Sequence, residues 1–430
     1  MDRRRLEPRA ASAGRGAVIT VDAEALRRLG DERIDWRFKG MPADADGMTV
    51  AELAGERRNL FDGGFHPPLV ALDAGALEHN LATMRDWCER RGVLLAPHGK
   101  TTMAPQLFAR QLEHGAWAIT VATFAQLRVA RAFGVRRVMV ANELLDVAGL
   151  RWVAAELARD PEFHLLCFAD SVRGVEIMAA ALRGAGRPVD ILVELGASGG
   201  RAGVRDVATA EAVAAAVEAA PELRLAGVAG YEGAIGHDVT DESLAAVDRY
   251  LRDLRALADR LDLPGDAVLS AGGSAYFDQV TDVFAGTRTV LRSGAYVTHD
   301  DGVYREVSPL GRAGGTPFAP ALHAWSQVTS RPEPDLALLT LGRRDVSFDQ
   351  GLPEPHVVRH ADGTRSPATG SRVSELNDQH AFLRLGPDTK AEVGDWVDCG
   401  PSHPCTVFDK WQLLPVVEDE TVIDLVRTWF

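Results

Sequence analysis

The sequence predicts an α/β fold, a (β/α)8 TIM-like barrel followed by a mainly β C-terminal domain, on three observations. From about Pro68, short runs rich in Val, Ile and Leu alternate with Ala/Leu/Arg-rich stretches whose apolar residues recur at helical spacing. The runs lack polar alternation, which suits a parallel sheet covered on both faces. Beyond about Gly311 the helical periods stop, and short strand-like runs between Pro/Gly turns take over.

The first 17 residues, MDRRRLEPRAASAGRGA, carry arginines without an apolar run and are expected to form a loose arm. Residues 18–65 fit either neighbour. The barrel is expected over residues 66–312, on the runs PLVALD, VLLAP, AITVA, RVMVAN, FHLLCFA, VDILVEL, LRLAGVAGY, AVLSAGG and RTVLRSG. That is one run more than a barrel needs, so PLVALD is assigned to a neighbouring element. An open doubly wound sheet is the alternative. Residues 313–430, with HAWSQVTS, LALLTLG, AFLRLG, DWVDCG and WQLLPVV, are expected to form the β domain.

The chain has 430 residues, 46% hydrophobic and 25% charged, which is ordinary globular composition. A formal charge of −14 argues against nucleic acid or an anionic membrane as partner. Four scattered cysteines make no disulfide framework, so a reducing cytoplasm is expected. No run approaches the roughly 20 apolar residues of a membrane span.

Catalytic groups of a parallel barrel gather where its strands end. Lys100, in LLAPHGKTTMAP, stands just past a strand-like run. A desolvated lysine there has a lowered pKa, and its neutral amine forms an imine with an aldehyde. A solvated or ion-paired loop lysine fits the spacing as well. SAGGSAYF places Gly272, Gly273 and Ser274 past another strand, and LRSGAYV places Gly294 past the next. Glycine loops before helices let backbone N–H groups approach a phosphate, although either loop alone also reads as a tight turn. Arg201 and Tyr231 follow strands and either orient a ligand or pack at the rim. In CGPSHPCTVF, His403 and Cys405 are separated by one residue, so an extended segment would put both on one face. Imidazole with thiolate favours zinc, and two ligands leave positions for water or substrate. A buried cysteine beside a surface histidine is the plainer reading. His380, in NDQHAFL, is either a participant near that site or a turn residue.

Taken in order, PPLVALDAGALEHNLATM, PHGKT, RAGV, GYEG, AGGS, RSGAYV and PSHPC resemble the fold-type III pyridoxal-phosphate enzymes, in particular the D-serine dehydratase and D-threonine aldolase family. The resemblance runs from about Pro67 to Trp411. TTMAP after Lys100 and the looser GASGGR depart from the family's usual text. The resemblance implies that Lys100 binds pyridoxal phosphate covalently, with His98 beside it and Arg201 and Tyr231 flanking. Gly272, Gly273, Ser274, Gly294 and Ala295 would hold the phosphate. His403 and Cys405 would bind the divalent metal, with His380 a further catalytic candidate. Cysteine at the second metal position is similar to the zinc-dependent dehydratases, whereas aldolase relatives tend to carry a carboxylate there and prefer manganese. The implied activity is elimination from a D-β-hydroxy amino acid, giving a 2-oxo acid and ammonia. Retro-aldol cleavage to glycine and an aldehyde is the alternative, and a non-catalytic pyridoxal-phosphate carrier is the alternative of another class. The family also implies a homodimer.

Overall fold

The structure, a computed structural model, describes residues 21–236, 238–312 and 314–430. The arm expected for residues 1–17 lies outside the described residues. The first strand, β1 (Leu69–Asp73), does not enter the barrel; it pairs antiparallel with β10 (Leu322–Glu333) and parallel with β17 (Leu413–Glu418) in the second sheet. PLVALD therefore belongs to the neighbouring element, as its surplus over eight runs suggested.

The barrel strands are β2 (Leu94–Leu95), β3 (Ile119–Val121), β4 (Arg137–Glu143), β5 (His164–Ala169), β6 (Val189–Leu195), β7 (Leu223–Gly230), β8 (Val268–Ser270) and β9 (Thr289–Leu291), all parallel to their neighbours. Their order, β2-β9-β8-β7-β6-β5-β4-β3, closes where Trp117 N–H donates to Leu95 O at 2.7 Å and Thr120 N–H to Pro97 O at 2.9 Å. Ala96, Met139, Leu166, Phe168, Leu192, Val268 and Val290 fill the lumen. Both faces of each strand are thus covered, which explains the absence of polar alternation.

The loops that follow the strands end in helix caps. Asp73, Thr123, Asp146, Ser171, Asp206 and Thr240 each accept an N–H from the third residue onward. Each such cap stabilises its helix by about 1 kcal/mol, and together they fix where the βα loops begin.

The second sheet has ten strands, with β11 (Leu336–Leu339), β12 (Glu354–Arg359), β13 (Arg365–Pro367), β14 (Arg372–Leu376), β15 (Ala381–Arg384), β16 (Trp396–Gly400) and β18 (Thr421–Arg427) completing it. Residues 21–65 attach to this sheet as well as to the barrel. Leu60 N–H donates to Glu420 O at 2.8 Å, Arg427 pairs with Glu32 at 2.9 Å, and Asp22 N–H donates to Phe133 O at 2.8 Å. Lys39 reaches Asp345 at 3.0 Å while lying 3.8 Å from the centre of the Trp411 ring. That contact anchors the stretch from Leu341 to Gln350, which runs toward the site.

Candidate active site

Lys100 sits in a 3-10 turn, Gly99–Thr101, reached directly from β2. Burial is the main cause lowering its pKa; Arg201 and Arg292 add to it, and Cys405 opposes. The amine is therefore biased toward its neutral, nucleophilic form. His98 is held well below the ordinary imidazole range by burial and then by the Lys100 charge, and its buried Nδ1 has no hydrogen-bond partner among the described residues. Met103, in the TTM continuation, takes a left-handed φ of 43° and is buried. It ends the turn so that Trp429 N–H can close on its carbonyl at 3.0 Å.

Gly294 packs against this turn: a Cβ there would lie 2.6 Å from His98 O and 3.0 Å from Thr101 Oγ1. Only glycine lets the loop after β9 come so close to the one after β2. Arg292, two residues earlier, is buried and donates to Ser270 Oγ and Gly230 O, each at 2.6 Å. It ties the ends of β7, β8 and β9 together. The Arg201 guanidinium lies 4.4 Å from the centre of the Tyr231 ring, so those two expected flanking residues do meet.

The glycine loop after β8 departs from the expectation. Gly272 N–H donates to Glu232 Oε2 at 3.0 Å and Gly273 N–H to Glu232 Oε1 at 2.5 Å. Glu232 is fully buried, so its carboxylate already occupies the two amides assigned to a phosphate. The physical reason is Gly272's φ of 91°, which turns consecutive N–H groups toward one acceptor, and the adjacent loop supplies that acceptor. The groups left for a phosphate are the Ser274 N–H and hydroxyl and the N–H groups of Gly294 and Ala295, which have no protein acceptor among the described residues. This remaining cradle and the Lys100 amine fit pyridoxal phosphate.

The HPC turn meets this face from the second sheet. Cys405 Sγ donates to Thr101 Oγ1 at 3.4 Å, placing the thiol beside Lys100's own turn. The segment is not extended, as the spacing argument assumed: Pro404 is helical (φ −64°, ψ −32°) and Cys405 opens a short helix, Cys405–Phe408. The proline-fixed turn, rather than strand alternation, brings His403 and Cys405 together. His403 Nδ1 meets Asp349 Oδ2 at 2.7 Å, and the Thr406 hydroxyl donates to Asp349 Oδ1 at 2.7 Å. Burial opposes the imidazolium, but Cys405 and Asp349 carry its pKa up to about 9. With Nδ1 engaged, Nε2 and the Cys405 thiolate are the donors a divalent ion would use. Among the described residues no cluster of three or more His, Cys, Asp or Glu is arranged to hold a metal. The pair fits an open site rather than a closed structural one.

His380 is not brought to this face. It lies exposed in the hairpin between β14 and β15, where its carbonyl accepts Asn377 N–H at 2.8 Å, and no contact joins it to Lys100 or His403. Sequence reasoning missed Glu232, Arg292, Asp349 and Tyr304. Tyr304 stands edge-on to His403, with ring centroids 6.3 Å apart. An arginine closing an apolar run in LRSGAYV was a legible signal for Arg292; the others sit in loops or single helical turns too short to show periodicity.

Known proteins match on this framework. The family model "Alanine racemase, N-terminal domain" matches residues 72–300, and "Putative serine dehydratase domain" matches residues 321–417. D-threonine aldolase from Arthrobacter sp. is 29% identical over 370 residues, 83% of this chain and 90% of that protein. 3-Hydroxy-D-aspartate aldolase from Paracoccus denitrificans (strain Pd 1222) is 27% identical over 347 residues, 76% of this chain and 87% of that protein. The crystal structure of D-threonine aldolase from Filomicrobium marinum superposes with a TM-score of 0.74 at 25% identity, covering 85% of this chain and 95% of that one. D-threo-3-hydroxyaspartate dehydratase from Delftia sp. HT23 shares the fold at a TM-score of 0.70 and 21% identity, covering 87% of this chain and 99% of that one. With more than half of its length matched and Lys100 delivered to the barrel rim, the chain belongs to the alanine racemase N-terminal-domain family of fold-type III pyridoxal-phosphate enzymes.

Proposed function

We propose that the protein is a pyridoxal-phosphate- and zinc-dependent lyase of D-β-hydroxy amino acids, eliminating water from a D-serine-like substrate to give a 2-oxo acid and ammonia. The observation that supports it most is the seating of Cys405 against Thr101, which brings an imidazole–thiol pair to the turn that carries Lys100. A soft thiolate with an imidazole favours zinc over the harder manganese. Pyridoxal phosphate at Lys100 would supply an electron sink for charge at Cα, and a divalent ion on His403 and Cys405 would supply Lewis-acid polarisation of the β-hydroxyl. The chain's own residues do the rest. Lys100, desolvated and biased to the free amine, takes the Cα proton. Ser274, Gly294 and Ala295 fix the phosphate end. Arg201 and Tyr231, stacked on each other, would flank the cofactor, and Asp349 holds the His403 ring through Nδ1, which leaves Nε2 as the metal donor.

The preference for the D enantiomer is supported by the named activities of the relatives. Those names also favour a second reading, retro-aldol cleavage to glycine and an aldehyde, which uses the same residues with the bond broken at Cα–Cβ instead of Cβ–O. A non-catalytic carrier would leave the His403–Cys405 pair without a purpose. The deciding experiment incubates purified holoenzyme with D-serine and D-threonine and analyses products. Keto acid plus ammonia establishes dehydration; glycine plus aldehyde replaces it with aldol cleavage, and neither from any D-hydroxy amino acid overturns the lyase reading. Light scattering tests the homodimer that the resemblance implies.

A further inference from the structure

We propose that Tyr304 is a substrate-contacting residue of this site, its phenol donating a hydrogen bond to the β-oxygen of a D-hydroxy amino acid held between Lys100 and the His403–Cys405 pair. The inference rests on the lyase reading above. Tyr304 lies in the short helix Val303–Val307 that follows the loop after β9. Asp300 Oδ1 accepts the N–H groups of Gly302, Tyr304 and Arg305 at 3.1, 2.9 and 3.3 Å, which fixes the start of that helix. Asp301 N–H donates to Pro401 O at 3.2 Å and Val303 N–H to Ser402 O at 3.3 Å. The segment is therefore laced to the turn that carries His403, and a Cβ on Gly302 would clash with Ser402. Tyr304 and His403 are consequently held in one rigid relation, ring edge to ring face.

Among the described residues Tyr304 makes hydrogen bonds through its backbone, and its side chain contacts the His403 ring, with no protein partner for the hydroxyl. Tyr304 is half-buried, and its hydroxyl is not among the solvent-sealed polar atoms, so a ligand entering beside His403 can reach it. The acceptor that a β-hydroxy amino acid brings to the His403–Cys405 side is its β-oxygen. Elimination breaks Cα–H and Cβ–O. The C–H pair becomes the new double bond, the C–O pair leaves on oxygen, and the proton taken by Lys100 completes the water. Tyr304 keeps its own proton throughout and stabilises the charge gathering on that oxygen, so no co-reactant is required.

The test compares wild type with Tyr304→Phe on D-serine and on β-chloro-D-alanine, whose chloride leaves without a hydrogen-bond donor. The variant should lose ~100-fold in kcat/KM for D-serine, as when one preorganised donor is removed, and retain the wild-type rate on the chloro substrate. A second readout is binding, followed on the visible cofactor band: D-serine weakens by ~10-fold, whereas D-alanine, which lacks the oxygen, is unaffected. Cofactor band, metal content and thermal midpoint at wild-type values verify the fold, and 3-fluorotyrosine at position 304 replaces phenylalanine should that variant not fold. Its more acidic phenol should alter the rate on D-serine alone. Equal losses on both substrates, or none on D-serine, overturn the role of Tyr304. A wild type inert toward both substrates overturns the dehydratase reading itself.

Discussion

The thiol of Cys405 donates to the hydroxyl of Thr101 across 3.4 Å, joining residues 304 positions apart in the chain. One belongs to the turn that carries Lys100, the other to the HPC turn beneath the second sheet. If the thiol is a metal ligand and not a packing group, Cys405→Ala should keep the yellow cofactor colour and lose the bound divalent ion together with activity. Lys100→Ala should do the reverse, becoming colourless while retaining metal. Visible absorbance and elemental analysis on both variants check this. A Cys405→Ala protein with undiminished zinc would remove Cys405 from the site.

Asp349 stands behind His403 at 2.7 Å and is itself held by Thr406. Carboxylates in that position fix the imidazole tautomer, and losing one typically costs ~10–100-fold in metal affinity. Asp349→Asn should therefore weaken zinc binding by that order in a chelator competition, with the cofactor band unchanged. Unaltered affinity would mean that the contact is incidental.

Glu232 accepts the Gly272 and Gly273 amides, so it shapes the loop whose next residue, Ser274, is the phosphate candidate. Hydrogen bonds to a charged acceptor stabilise by about 1.5–3 kcal/mol, and Gln offers one carbonyl where two oxygens stood. Glu232→Gln should weaken pyridoxal-phosphate affinity by ~10-fold or more in a titration of apoenzyme, while borohydride still fixes the cofactor on Lys100. Wild-type affinity would show that the loop holds its shape without the carboxylate.

Much of the framework was legible because it is local. Eight apolar runs, their helical spacers and the end of helical periodicity near Gly311 are properties of short windows. Lys100 was legible because it leaves a strand that such a window reveals. Glu232 was not, since its partners lie 40 and 41 residues away and nothing in GYEG announces an acceptor. Residues 21–65 were equally opaque: they form little regular structure and attach through single contacts such as Lys39 to Asp345, 306 positions apart. Cys405 shows a third case, in which the geometric premise was incorrect: Cys405 opens a short helix after a helical Pro404 instead of lying on an extended segment. His380 shows a fourth, where a chemically apt residue in a polar turn stayed in solvent.

Glu143 closes β4 and Glu194 stands one residue before the end of β6, with β5 between the two strands; among the described residues each has a buried oxygen lacking a hydrogen-bond partner. Burial, then the Glu194 charge, raises the Glu143 carboxyl from 4.5 to about 8. Glu194 is also raised, chiefly by burial. Because the folded value exceeds the unfolded one, the folded chain retains a proton that the unfolded chain releases. The pair's contribution to stability is thus greatest below about 4.5 and is withdrawn as pH rises through about 8. Glu143→Gln has no proton to lose, so its thermal midpoint should match or trail wild type in acid and exceed it above about pH 8. Melting curves of the two proteins taken from acid to alkaline buffer measure the difference. If the two midpoints stay parallel across that whole window, the carboxylates do not share a proton, and Arg201 or Arg292 must neutralise them instead.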